Sequence, residues 1–379
     1  MSQKLQISIL DSPSDLKADT WQSFCQKNPF ASPDFLQTLH TSTCVAPECG
    51  WYAQYLYLQD EQQTPLGLMP LYVKTHSRGE FVFDMAWANA FERHGLAYYP
   101  KLVCSIPFTP VTGPRLLANN AQHKRILAEQ AIEIAKRMGV SSLHILFPHH
   151  DDLNILRECG YMIREDVQFH WHNPDYASFE DFLKQLNYDK RKKIRQDRKK
   201  VLAAGVNFRH LRGRDIEPET LDFFISCYQN TYYERGREPY LNREFFHAYL
   251  QKCPENVLLV LALKNNQPIA CALNIIGDDT VYGRYWGAHE FIPGLHFETC
   301  YMQGIEFCID NKFRYFEGGA QGEHKLARGL LPVTTYSAHW IARKDFAAAI
   351  EAFLDAETRQ VGKYVDMLST HSPFRQTNG

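Results

Sequence analysis

The sequence predicts an α/β (α+β) protein made of two related units in tandem, each a mixed twisted sheet flanked by helices. Three observations carry this prediction. The chain has 379 residues, about 2.5 times the roughly 150 of an ordinary domain. Its composition, 45% hydrophobic and 22% charged, is that of a globular chain and excludes a disordered or fibrous one. A weak internal repeat also runs through it, and repeats take precedence over other signals.

The repeat has three matching segments. YAQYLYLQDEQQTPLGLMPLYV (52–73) reads strand, polar turn, strand, and so does NVLLVLALKNNQPIACALNII (256–276). AIEIAKRMGVSSLHILF (131–147) reads as an amphipathic helix ended by Gly139, then a strand. Its counterpart is GIEFCIDNKFRYFEGG (304–319). Finally LRECGYMIREDVQFHW (156–171) aligns with KLARGLLPVTTYSAHW (325–340), which matches Gly160 to Gly329, His170 to His339 and Trp171 to Trp340. Each half thus carries a hairpin, a helix, a strand and a closing strand in one order.

Between the halves lies a basic helical segment, SFEDFLKQLNYDKRKKIRQDRKKVLAAG (178–205). Ser178 and Asp181 form a capping box at its start. From Lys184 to Lys200 it holds nine cations against Asp189 and Asp197. The second half opens with two helices over 218–252, broken at Arg235-Gly236-Arg237-Glu238-Pro239. The expected division is a first unit over 1–175, a basic helical connector over 176–210 and a second unit over 211–379.

Lys plus Arg number 41 and Asp plus Glu 43. A net charge of −2 argues against a surface that coats nucleic acid throughout, though not against a local basic patch. The start, MSQKLQISILDSPSDL, lacks the basic–apolar–small pattern of a secretory signal. The longest wholly apolar stretch, Val257 to Ala262, is far below the roughly 20 residues of a membrane span. A soluble, cytoplasmic protein is expected. The ten cysteines form no C-x-x-C pair, so they read as reduced and structural.

The densest candidate site is GRYWGAHEFIPGLHFETCYMQGIEFCI (283–309) followed by FEGGAQGEHKLARG (316–329). A glycine-rich loop at a strand's end, carrying Glu317, Gln321, Glu323, His324, Lys325 and Arg328, gathers acid, base and cation where backbone can approach a ligand. A solvated turn is the bland alternative. A second stretch, PFTPVTGPRLL (107–117), offers Thr109, Thr112 and Arg115 for an anionic or polar ligand. NAFERHGLAYYP (89–100) adds Glu92, Arg93, His94 and Tyr98. No metal is expected, because neither H-E-x-x-H nor a Cys–His spacing occurs. P-loop, serine-elbow and dinucleotide fingerprints are also missing. The basic helix is either a solvated charged helix or a polyanion contact.

At YWGAHEFIPGLHFETCYMQGIEFCI and FEGGAQGEHKLARGLLP the sequence resembles the FemAB-like proteins of the GNAT (acyl-CoA N-acyltransferase) superfamily, the peptidoglycan-biosynthesis-associated type. PFTPVTGPRLL, LNYDKRKKIRQDRKKV and NTYYERGREPYLNREFF extend the resemblance to nearly the whole chain. It implies two tandem GNAT-like acyltransferase folds. Better-known relatives move an aminoacyl group from aminoacyl-tRNA to a peptidoglycan precursor, and single-domain GNAT enzymes move an acyl group from acyl-CoA to an amine. One departure stands out. The helix after Phe297 opens HFETCYMQGIEF, without the R/Q-x-x-G-x-G/A turn that holds the CoA pyrophosphate.

The expected activity is therefore direct acyl or aminoacyl transfer to a small-molecule or peptide-like amine, with no tightly bound cofactor and with acyl-CoA or aminoacyl-tRNA as co-substrate. Glu317 or Glu323 would deprotonate the amine, with His324 the alternative base. Tyr301 or Tyr282 would protonate the leaving group, and Trp286 would wall the cleft. Lys325 and Arg328 would hold anionic groups. Glu298 is either a substrate contact or a structural anchor. Arg115 and the Lys190, Arg191, Lys192 and Arg195 cations would bind phosphate, with tRNA as a candidate partner. The alternative is a ligand- or RNA-binding protein that kept the fold without catalysis.

Overall fold

The structure is a computed structural model that describes residues 5–25, 27–319 and 322–375. The chain forms two compact units, and neither is one contiguous half. The first comprises Met1–Asp166 and Thr334–Lys363, the second Val167–Val333 and Tyr364–Gly379.

In the second unit four antiparallel strands follow one another: Val206–Arg212, Val257–Lys264, Gln267–Ile276 and Thr280–Ala288. The two central strands are near-continuous apolar runs buried on both faces, and Asn265 and Asn266, both at positive φ, close the central hairpin in two residues. Tyr315–Glu317 then pairs parallel to Thr280–Ala288. A parallel neighbour needs a crossover, supplied by the helical run Leu295–Phe297, Glu298–Met302 and Gln303–Asp310, whose middle five residues are a π turn. Its inner face packs Met302, Ile305 and Cys308 against Val281, Phe316 and Trp171.

The first unit repeats this plan with one break. Its hairpin runs from Trp51 to Lys74 but divides at Gln54 and Pro70, where proline has no N–H for a ladder. The outer half, Tyr55–Asp60 and Pro65–Met69, joins Leu5–Leu10 and Leu117–Ala118 in a four-stranded sheet. The inner half, Trp51–Ala53 and Leu71–Lys74, pairs onward to Lys101–Cys104. That strand lies parallel to Ser142–Leu146. The crossover is helix Ala121–Met138, capped by Asn120 and ended by Gly139 in the left-handed region, at the glycine the sequence indicated.

The repeat is therefore present, but its closing strands are exchanged. His170 and Trp171, expected to close the first unit, pair with Glu317 and Phe316 in the second. His339 and Trp340 pair with His144 and Leu143 in the first. Contiguous units at 1–175 and 211–379 thus give way to two interrupted ones. The span 176–210 is no separate connector. Helices Phe179–Gln185 and Tyr188–Ala203 and the strand after them belong to the second unit, where Ile194 and Val201 are buried. Among the described residues no helix is long and apolar enough to cross a membrane.

Candidate active site

In the second unit the parallel ladder is only three pairs long and ends at Tyr282 opposite Glu317. Thr280–Ala288 continues, while the other strand turns away at Gly318 and Gly319. Gly319 has φ 85°, and a Cβ on Gly318 would lie 2.7 Å from Leu330, so both positions need glycine. The bulge between Leu273 and Asn274 adds local twist next to the point where the strands part. The glycine-rich loop thus begins where a pair of parallel strands opens.

The register lines up three side chains across the sheet. Tyr282 is opposite Glu317, and Glu317 is opposite His170. Their neighbours Val281, Phe316 and Trp171 fill the core, so alternation sends the three to the other face. His170 Nδ1 lies 3.8 Å from Glu317 Oε1, and the two side chains are only 15% and 14% exposed. Burial pushes the Glu317 carboxyl up to about 8, against a smaller pull from Arg284. Burial, then Lys325, brings His170 down to about 4. Burial also raises the Tyr282 phenol, and Glu317 adds to this.

The loop's turn Glu323–Arg328 brings in the cations. Lys325 is 2% exposed, and its Nζ donates to the Gly319 carbonyl at 2.7 Å. Burial lowers this amine to about 8. The Arg328 guanidinium lies 3.7 Å over the Phe297 ring and donates to the His324 carbonyl at 2.9 Å. The Tyr301 hydroxyl is 3.4 Å from His324 Nε2, and burial raises its pKa. The Trp286 and His296 rings are 5.2 Å apart. Burial lowers His296 to about 4, and His324, Arg328, Lys325 and Arg235 all push the same way. Lys325, Arg328 and Arg235 thus bring positive charge toward this imidazole.

The FemAB-like family model, described as peptidoglycan biosynthesis/recognition, matches residues 12–376. The chain belongs to the FemAB-like family. Among solved structures it is similar to FemX, with a TM-score of 0.52 and 12% identity over 91% of this chain and 100% of that one. It is also similar to the L-PGS of Bacillus licheniformis, with a TM-score of 0.56 and 10% identity over 91% and 98% of the two chains. The C-terminal domain of a putative lysylphosphatidylglycerol synthetase from Agrobacterium fabrum has a TM-score of 0.56 and 9% identity over 90% and 97%. At such identities the likeness is one of fold. No curated protein sequence matched the chain. The fold is tandem GNAT-like, as the resemblance implied.

In this FemAB-like protein Glu317, Tyr282, Tyr301, Trp286, His324, Lys325 and Arg328 gather in the second unit. Other candidates are committed elsewhere. Glu323 is exposed and accepts a hydrogen bond from Tyr364 at 2.6 Å, which turns it outward from Glu317. Glu298 is 3% exposed, 3.0 Å from Arg198 Nε, and accepts from Gln303 at 2.7 Å. It anchors helix Tyr188–Ala203 through Arg198, the structural role of the two expected for it. On that helix Arg195 pairs with Glu180 and Lys192 lies 5.7 Å over the Tyr188 ring. Lys190 and Arg191 are half-buried. Gln321 lies outside the described residues.

The first-unit candidates are structural. Arg115 is 1% exposed and gives its donors to the carbonyls of Leu146, Pro114 and Val111 at 2.8, 3.2 and 2.6 Å. Its fork therefore seals the end of strand Ser142–Leu146 instead of meeting phosphate. Thr109 donates to Pro107 O, half-buried Thr112 sits on the same loop, and His94 bonds Ala90 O at the end of helix Met85–Arg93. The row matching His170 and Glu317 is here His339 and His144, both about 1% exposed, with their Nδ1 atoms 2.7 Å apart and Trp87 against the His339 ring. That pair is fully buried, whereas Glu317 and His170 keep a small part of their surface exposed.

His170, Gln168 and His296 escaped the sequence reading. His170 was visible there only as a repeat marker. Among the described residues no group of three or more His, Cys, Asp or Glu side chains could hold a metal ion.

Proposed function

We propose that this protein transfers an acyl or aminoacyl group directly to an amine at the open end of the second unit's parallel pair. One observation carries the reading. A buried carboxyl raised to about 8 and a buried amine lowered to about 8 flank the same glycine turn, and oppositely perturbed acid–base pairs mark sites of proton transfer. In the reaction the acceptor nitrogen forms a bond to the donor's carbonyl carbon. Glu317 takes the amine proton, and the Lys325 ammonium stabilises the oxyanion. The C–O or C–S bond to the donor then breaks, and Tyr301 supplies a proton to the leaving atom and regains one through His324.

The absent pyrophosphate turn favours aminoacyl-tRNA over acyl-CoA as donor, and the positive surroundings of His296 suit its phosphates. Family membership points to a peptidoglycan precursor as acceptor. The test is a matrix of aminoacyl-tRNA and acyl-CoA donors against UDP-linked muropeptides and simple amines, followed by mass spectrometry of the acceptor. Transfer should occur with at least one pair, and Lys325→Met should lower kcat by roughly 100-fold or more. Turnover needs Glu317 ionised and Lys325 charged, so its pH profile should be a narrow bell near 8. No transfer with any pair, or an undiminished Lys325→Met, would overturn the reading.

A further inference from the structure

The strand 167–172 does more than complete the second unit's sheet. It carries two polar side chains from the N-terminal half of the sequence onto the face that holds Glu317. Gln168 is 4% exposed and His170 is close to it, with Nε2 3.3 Å from Gln168 Oε1. An amide oxygen only accepts, so His170 must donate there through Nε2–H. That fixes the tautomer and leaves the Nδ1 lone pair unprotonated on the side of Glu317 Oε1, 3.8 Å away. A lone pair meets a carboxyl group favourably only if the carboxyl brings the proton. Pairs of this kind are often long without substrate and shorten when it binds.

We propose that His170 is a positioning residue for Glu317: held by Gln168 in one tautomer, it accepts a hydrogen bond at Nδ1 from the protonated Glu317 carboxyl and orients that carboxyl toward the acceptor amine. The proposal rests on Glu317 as the base. The site is then incomplete without a strand encoded before residue 175, which makes the two halves of the sequence one catalytic unit. The charged and titratable groups facing the pair are Arg284, Asp279 and Tyr282 around Glu317 and Lys325 beside His170. Lys325 opposes a second proton on the imidazole. Glu317 and His170 therefore hold one proton together, and losing it readies the base.

The first test needs no substrate. The full-length protein is labelled with [15N]histidine, and the His170 signals are assigned by their loss in His170→Gln. The expected spectrum has the Nε2–H tautomer, no imidazole protonation down to about pH 5 (an ordinary histidine titrates near 6.5) and an Nδ1 shift that follows a titration near 8. Glu317→Gln should abolish that titration and keep the tautomer, and Gln168→Leu should mix the tautomers. A His170 that titrates on its own near 6.5, sits in the Nδ1–H tautomer, or keeps the upper titration in Glu317→Gln overturns the proposal. The second test uses whichever transfer assay succeeds. His170→Gln should lower kcat and move the acid limb to lower pH, because the protonated carboxyl loses its acceptor. An unmoved limb in His170→Gln beside a dead Glu317→Gln would sink the positioning role and leave the transferase reading standing. Expected spectra without any transfer activity would do the reverse.

Discussion

Replacing Glu317 by Gln should make the protein more stable at neutral pH. In the unfolded chain this carboxyl titrates at its ordinary 4.5, and in the folded protein burial holds it at about 8. The folded state therefore favours the protonated form. Below pH 4.5 both states are protonated and the carboxyl costs nothing. Between 4.5 and 8 the unfolded chain ionises while the folded one resists, so stability falls by about 1.4 kcal/mol for each pH unit. From pH 4.5 to 7 the loss reaches roughly 3 kcal/mol. Gln keeps the shape and has no charge to desolvate, so Glu317→Gln escapes the loss. Urea denaturation of both proteins at pH 4.5, 6, 7 and 8 measures it directly. The two midpoints should coincide at pH 4.5, and the variant should lead by up to about 3 kcal/mol at pH 7. A gap that stays flat with pH, or favours the native Glu, would refute the buried-carboxyl argument. The expected signature is a gain in stability with a loss of turnover, as for sites strained to do chemistry.

Arg198→Met would leave Glu298 buried beside Gln303 and a second carboxylate, Glu306, which also loses its cation. It should destabilise by about 3–5 kcal/mol, and adding Glu298→Gln should restore most of that in the same denaturation assay. Arg115→Lys replaces a three-way fork by a single ammonium that reaches fewer of the carbonyls of Leu146, Pro114 and Val111. About 1–3 kcal/mol should be lost for the stranded acceptors, and kcat/KM per folded molecule should not change. A fall in kcat/KM would return Arg115 to the ligand site.

Elements in both units were legible where local chemistry and fold agree. The run 256–276 is β-rich and apolar on both sides of an Asn-Asn turn, and Asn265 and Asn266 adopt the positive φ that such a hairpin needs. Helix Ala121–Met138 ends at the glycine the pattern marked. The exchange of closing strands left no such trace. The pattern around His170 and Trp171 is the same whichever sheet accepts the strand, because alternation specifies a buried face and not a partner. Glu317 was reached as one of several ionisable residues crowded into a glycine-rich loop at a strand's end. Glu323 could not be told from it, since the Tyr364 hydroxyl that holds it lies 41 residues away. Arg115 was misread for a related reason. A guanidinium fork fits phosphate and a cluster of carbonyls equally well, and only burial decides between them.

The exchanged strands also set a timetable for synthesis. His144 and His339 face each other across one pair of strands yet lie 195 residues apart in the chain. At about 5–20 residues per second, the first unit leaves the ribosome roughly 10–40 s before its last strand exists. During that interval the edge at Ser142–Leu146 is unpaired, and an open β edge invites wrong partners. A stop codon even late in the message, before residue 334, would leave the first unit without its closing strand.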